Sequence, residues 1–67
     1  MRIEKISNLG ISYWRCDNGD PLTAYTAISK AFNGYFVVYW INGRLSYTQR
    51  KDFESALWLS KLLLMED

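Results

Sequence analysis

The chain has 67 residues, of which 49% are hydrophobic and 16% aromatic, and its formal net charge is +1. This length predicts one small domain over residues 1–67, with a thin core that dimerisation would reinforce. The nearly balanced charge is not typical of a nucleic-acid-binding protein, although a local basic patch is compatible with it.

The cysteine and histidine content excludes several kinds of chemical site and indicates the cellular compartment. Cys16 is the only cysteine and there is no histidine, which excludes an internal disulfide and a CxxC metal or redox site. We therefore expect no enzyme activity, no metal and no cofactor, and we interpret Cys16 as a buried structural thiol. No apolar run is long enough to span a membrane and residues 1–5 lack a signal-peptide pattern, so we expect a cytoplasmic protein.

Residues 2–7 and 11–16 are predicted to be strands joined by a turn at 8–10. In the second strand Trp14 and Cys16 alternate with Tyr13 and Arg15. Since side chains alternate between the faces of a strand, Trp14 and Cys16 are expected to point to the core and the other two residues outward.

Residues 21–32 are predicted to form an amphipathic helix. Asp20 and Pro21 suit the N-cap and the first helical position, and a polar arc opposes a wide apolar arc at helical spacing. The Asn33-Gly34 pair would end this helix. The alternative is a strand over 23–32 with Asn33-Gly34 as a type I′ turn, which gives an antiparallel meander with one C-terminal helix.

Residues 35–50 carry the strongest local signal, a β-hairpin around Asn42-Gly43, because both central residues of a type I′ turn need positive φ. The two-residue loop pairs Ile41 with Arg44 and, at the far end, Tyr35 with Arg50. One face is almost wholly apolar and is predicted to be the core side; it contains Phe36, Val38, Trp40, Leu45 and Tyr47. The other face is predicted to be open; it contains Tyr35, Val37, Tyr39, Ile41, Arg44, Ser46, Thr48 and Arg50.

Residues 52–65 are predicted to be a helix with Asp52 as its N-cap, which makes the fold α+β with the order ββαββα. The helix is apolar around much of its circumference, and one side holds Trp58, Leu62 and Met65. These three residues predict a homodimer seam or a partner-binding ridge. A wide core face with an apolar C-terminus is the alternative.

The first functional hypothesis is a protein-binding module that occupies the surface of a partner, as an adaptor or inhibitor. Short stand-alone chains of this style are common among phage and mobile-element accessory proteins. Tyr and Arg are enriched at binding hot spots, although the same residues also suit an ordinary solvent face. The predicted partner-binding residues are Tyr13, Arg15, Tyr35, Tyr39, Arg44, Ser46, Arg50 and Lys51.

The second hypothesis is nucleic-acid binding. The hairpin at 34–44, followed by Phe53-Glu54-Ser55-Ala56, resembles the sheet-plus-helix layout of AP2-type and tyrosine-integrase arm-binding domains. The resemblance implies DNA reading by sheet residues, here Tyr39, Arg44, Ser46 and Arg50. This chain has fewer Lys and Arg, and the predicted helix takes the place of the first sheet strand, so we assign no membership. Exposed tyrosines would also suit stacking on single-stranded bases.

Overall fold

The structure is a computed structural model that describes residues 1–65, the side chain of Met65 excepted. Five strands precede one helix: β1 (Arg2–Asn8), β2 (Ile11–Asp17), β3 (Ala24–Ala31), β4 (Gly34–Ile41), β5 (Arg44–Arg50) and α1 (Phe53–Met65). All strands are antiparallel and lie in the sheet in chain order. The α+β class is confirmed, the ββαββα order is wrong, and the alternative meander with one C-terminal helix fits.

The segment predicted to be a helix, 21–32, contains the strand β3. The helix-start signal at Asp20 accounts only for the turn that precedes this strand. The Asp20 carbonyl accepts the amides of Thr23 and Ala24, and its carboxylate accepts the Leu22 amide and the Thr23 hydroxyl. This is one capped turn, after which the chain extends. β3 then pairs with β4 over its full length, so the sheet satisfies the backbone groups that a helix would have satisfied.

The β4–β5 hairpin has the predicted register, from Ile41 opposite Arg44 to Tyr35 opposite Arg50. Asn42 and Gly43 both have positive φ, at 57° and 73°, as a type I′ turn requires. The β3–β4 connection is different: Phe32 and Asn33 form the loop and Gly34 pairs with Ala31. Gly34 has a φ of 141°, and a Cβ there would collide with the Arg50 carbonyl oxygen, so this position requires glycine.

The predicted core side of the hairpin is wrong, because α1 covers the opposite face. Val37 is fully buried, and Tyr35 and Tyr39 pack against the core, whereas Phe36, Leu45 and Tyr47 are exposed. The buried hydrophobic residues among those described come from β2, β3, β4 and α1; they are Cys16, Ile28, Val37, Ala56 and Leu64.

Cross-strand pairing gives the physical reason for the exchanged faces. Trp14 lies opposite Ile28, and Ile28 lies opposite Val37. Residues directly opposite each other share a face, so the inward Trp14, which was predicted correctly, places Val37 inward too. Phe36 and Val38 therefore point outward. The sequence prediction treated residues 21–32 as a helix, so it lacked the strand that relates the face of Trp14 to the face of Val37.

The helix α1 and its N-cap are confirmed. The Asp52 carboxylate accepts the Ser55 amide at 2.7 Å, which satisfies a free donor of the first turn. At the other end the Asn18 side-chain amide donates to the Leu64 carbonyl at 2.6 Å. No helix within residues 1–65 is long and apolar enough to cross a membrane.

Candidate partner-binding surface

The sheet face opposite α1 is called the open face. Its large apolar and aromatic side chains form one continuous set across β2 to β5, consisting of Ile11, Tyr13, Tyr25, Phe36, Val38, Trp40, Leu45 and Tyr47. Within β3, β4 and β5, which the structure describes in full, no charged residue stands on this face. A large uncharged patch of this kind is unusual on a monomer and is typical of an interaction site.

The part of the open face over β4 and β5 is an aromatic ridge, defined as Phe36, Leu45 and Tyr47. The rings of Phe36 and Tyr47 meet edge to face, with centroids 6.0 Å apart, which is a favourable aromatic geometry. Leu45 is 61% exposed and Tyr47 73% exposed. The Phe36 ring, which is 41% exposed, supports the Tyr47 ring laterally, while Leu45 and Tyr47 present most of their surface to solvent.

The part of the open face over β2 and β3 is a hollow of about 600 Å³. Small side chains, Ala27 and Ser29, form its floor. Its walls are larger and are formed by Ile11, Tyr13, Leu22 and Tyr25. β2 and β3 pair over only three residue pairs, from Trp14–Ile28 to Cys16–Thr26, and the hollow lies partly where the strands are unpaired. Val38 borders both this hollow and a second depression of similar volume, which the ridge residues and Ser46 also line.

A network of ion pairs occupies one corner of the open face, over β1 and β2. Arg15 contacts Glu4 at 2.8 Å and Asp17 at 3.6 Å, and Arg2 contacts Asp17 at 3.3 Å. Two cations and two carboxylates balance in formal charge. The guanidinium groups that the open face offers are therefore already engaged within the chain.

Asp17 is the buried centre of this corner. Burial alone would raise the pKa of its carboxyl, but the Gly19 amide, the Arg2 side chain and the charges of Arg2 and Arg15 outweigh burial. Together they hold the pKa of Asp17 below its ordinary value. The corner is thus a structural anchor for the loop that enters β3.

The structure separates the residues that were predicted to bind a partner. Tyr13 and Arg15 stand on the open face, whereas Tyr35 and Tyr39 lie half-buried on the face that α1 covers. The Tyr35 ring contacts the Phe53 ring of α1, with centroids 5.7 Å apart. The sequence predicted that all four side chains point outward from the sheet, and this is wrong for Tyr35 and Tyr39.

The remaining predicted residues lie along β5 and just beyond it. Arg44, Ser46 and Arg50 stand on the α1 side of this edge strand, where Arg44 is exposed and the other two are half-buried. Lys51 is exposed in the link to α1. They lie at the edge of the sheet, and their role in binding stays a prediction.

The predicted helix surface is present in part. Trp58 is 62% exposed, and Leu62, one turn further along α1, is also exposed. Met65 lies outside the described side chains. Two residues form a narrow apolar ridge that is much smaller than the open face, and its use as a dimer seam stays a prediction.

Sequence reasoning missed most of the residues that form the open face, Tyr13 excepted. It placed the aromatic ridge in the core and Leu22 and Tyr25 in a helix. The missing signal is the alternation in β3, where Thr26 and Ile28 are buried and Tyr25 and Ala27 are partly exposed. Read at a period of two, these residues predict a strand and extend the Trp14 face to Val37.

The buried Cys16 belongs to the core and not to a reactive site. Burial raises the pKa of its thiol, which disfavours the nucleophilic thiolate. Next to it, the Thr26 hydroxyl donates to the Ser60 hydroxyl at 2.7 Å and ties the sheet to α1. Among residues 1–65 no three His, Cys, Asp or Glu side chains are grouped so that they could hold a metal ion.

No protein-family model, no curated protein and no solved structure matches this chain. The layout of β3, β4, β5 and α1 does contain the strand that the sequence prediction had replaced with a helix. The resemblance to AP2-type domains implicated four residues, and all of them lie on the α1 side of the sheet: Tyr39, Arg44, Ser46 and Arg50. The open face therefore has to be interpreted from its own residues.

Proposed function

We propose that this chain is a small non-enzymatic protein-binding module, an adaptor or inhibitor that occupies a partner's surface through its open face. The observation that carries the proposal is the uncharged aromatic and aliphatic surface on β3, β4 and β5. Interface cores are enriched in aromatic residues and depleted of charge, and this surface has both properties.

Charge favours a protein over a nucleic acid as the partner. Phosphate contacts supply most of the affinity for nucleic acid and need free Lys or Arg side chains. Arg2 and Arg15 of the open face are engaged with Glu4 and Asp17. A partner that meets this face would contact aromatic rings and aliphatic side chains at its centre.

Tyr47 is the expected hot spot. Its ring is exposed, is supported by Phe36 and stands beside Leu45. A Tyr held by its neighbours loses little conformational entropy when a partner covers it. Replacing it should therefore reduce binding strongly while leaving the core intact.

The test is affinity capture with matched bait variants, from a lysate of cells that naturally express the chain. A partner protein should be retained by the wild type and by Trp58→Arg, and lost by Tyr47→Arg with at least about a 30-fold reduction in affinity. Trp58 is the matched control, because it is an aromatic residue of similar exposure on the other side of the molecule. Loss with Trp58→Arg alone would move the contact to α1 and overturn the proposal.

Nucleic-acid binding is the competing outcome, and exposed rings on a sheet are the observation that favours it. Fluorescence polarisation against duplex and single-stranded oligonucleotides across a salt titration distinguishes the two. Binding that falls linearly with the logarithm of salt concentration and is abolished by Arg44→Glu would replace the protein-binding proposal. We expect no binding at physiological salt.

A further inference from the structure

We propose that a second copy of this chain covers the open face, so that two sheets pack face to face about a two-fold axis near Val38. The inference rests on the proposed function, since it uses the same surface for a protein contact. It names the occupant of that surface when no other partner is bound. Two facing sheets with α1 on each outer side would form a four-layer molecule of the α/β/β/α type.

Shape is the first argument for a second copy. A two-fold interface is self-complementary, so a projection on one side of the axis must meet a depression on the other. The open face has the hollow over β2 and β3 and a second depression of similar volume over β4 and β5, and the exposed side chains of Leu45 and Tyr47 project at the edge of the second depression. Val38 borders both, so an axis near Val38 places the ridge of each copy over the hollow of the other.

Charge is the second argument. A face that meets its own copy brings identical charges together unless it is neutral or carries paired charges near the axis. The open-face positions of β3, β4 and β5 are uncharged. Arg15, which lines the hollow, is paired with Glu4 and Asp17 in its own chain. Two copies can therefore approach without burying an unpaired charge.

Area is the third argument. The strands β2 to β5 have seven or eight residues each. With strands about 4.8 Å apart and a rise of about 3.3 Å per residue, they cover about 500 Å² in projection, and a pair of copies would bury about 1,000 Å² in total. This value lies at the lower limit for a specific interface. A thin core in each copy gains from such burial, as small domains commonly do from oligomerisation. We therefore expect a dimer that dissociates in the micromolar range.

The first experiment is sedimentation velocity of the full chain over a concentration series. The wild type and Trp58→Arg should pass from monomer to dimer with rising concentration, while Tyr47→Arg should raise the dissociation constant at least about tenfold. A wild type that stays monomeric up to about 1 mM overturns the inference. A dimer that Trp58→Arg dissociates and Tyr47→Arg does not would place the seam on α1, which also overturns it.

A charge-swap pair tests the ridge-on-hollow arrangement itself. Tyr47→Arg puts a cation on the ridge, and Ala27→Glu puts a carboxylate on the floor of the hollow. Each variant alone should be monomeric, and an equimolar mixture should regain dimer because the guanidinium introduced in one copy reaches the carboxylate introduced in the other. Mixtures that remain monomeric, when both variants show wild-type circular dichroism, contradict this docking mode.

The failure of this inference is distinguishable from the failure of the proposed function. A monomeric wild type whose capture of a different protein still depends on Tyr47 removes the second copy and keeps the open face as the contact surface. A dimer and a capture that are both insensitive to Tyr47→Arg remove both proposals. A captured protein that dissociates the dimer supports both, because the two partners then compete for one face.

Discussion

At the scale of single residues, two hairpin turns of the same geometry contain very different side chains. Leu9 and Gly10 have φ values of 53° and 81°, and Asn42 and Gly43 have 57° and 73°. Asparagine adopts left-handed backbone at a lower energetic cost than leucine. Leu9 is also 93% exposed, so it gains no burial that would offset this cost.

We predict that Leu9→Asn stabilises the protein by about 1 kcal/mol. The reciprocal change, Asn42→Leu, should destabilise it by a similar amount, because it moves the same strain to the other hairpin. Urea denaturation midpoints measure both changes. If both variants have the same midpoint as the wild type, the two turns do not share this geometry.

Asp17 gives a prediction for pH at the same scale. The pKa of its carboxyl is lowered in the folded chain, so the ionised form stabilises the fold above the unfolded pKa of about 3.9. This contribution is lost as the pH falls through the folded value. Asp17→Asn should cost about 1–3 kcal/mol at pH 6, and the difference from wild type should shrink as the pH approaches 2.

Glu4→Gln is the matched control for this prediction, because Glu4 belongs to the same ion-pair corner but its side chain is 57% exposed. Its effect should be within about 0.5 kcal/mol and should depend little on pH. Denaturation of the three proteins at several pH values gives the comparison. An Asp17→Asn deficit that stays constant from pH 6 to pH 2 would contradict the charge network as the source.

At the scale of secondary-structure elements, neighbouring valines in β4 report which face α1 covers. Val37 is fully buried, and Val38 is partly exposed on the open face. Val37→Ala removes methyl groups from a closed core and should destabilise the chain by about 2 kcal/mol. Val38→Ala should cost less than about 1 kcal/mol in the monomer.

Thermal and urea denaturation of the two alanine variants, measured at a concentration where the chain is monomeric, tests the face assignment. The variants share strand, residue type and backbone geometry, so only the environment of the side chain differs. A larger loss for Val38→Ala would mean that α1 covers the face first predicted from the sequence.

Local signals in the sequence were sufficient for the elements with short-range causes. Asn42-Gly43 fixed one hairpin and its register, Asp52 fixed the start of α1, and the alternation around Trp14 and Cys16 fixed the inner face of β2. These features depend on residues a few positions apart.

Non-local pairing decided the rest. Asp20-Pro21 does start a turn, but the following residues are compatible with a strand period as well as the helix period that was preferred, and pairing with β4 selects the strand. The inner face of the hairpin depends on β3, so one wrong element exchanged both faces. The candidate surface followed the same error, which is why Phe36, Leu45 and Tyr47 were assigned to the core.

At the scale of the whole molecule, α1 and the sheet form a two-layer structure in which one face of the sheet is uncovered. The helix protects Val37, Ile28 and Cys16 on one face, while the ridge and the hollow on the other face lie in solvent. A two-layer domain covers one sheet face with its own chain and leaves the other exposed. The open face is the proposed contact surface.

Site-specific photo-crosslinking tests this proposal most directly. A benzophenone amino acid placed at position 47 reports what lies on the open face, and the same group at position 58 reports on the outer side of α1. We predict a protein adduct from position 47 and none from position 58, with a second copy as the adduct of the purified chain. Adducts from position 58 alone, or adducts only with nucleic acid, would contradict the proposal.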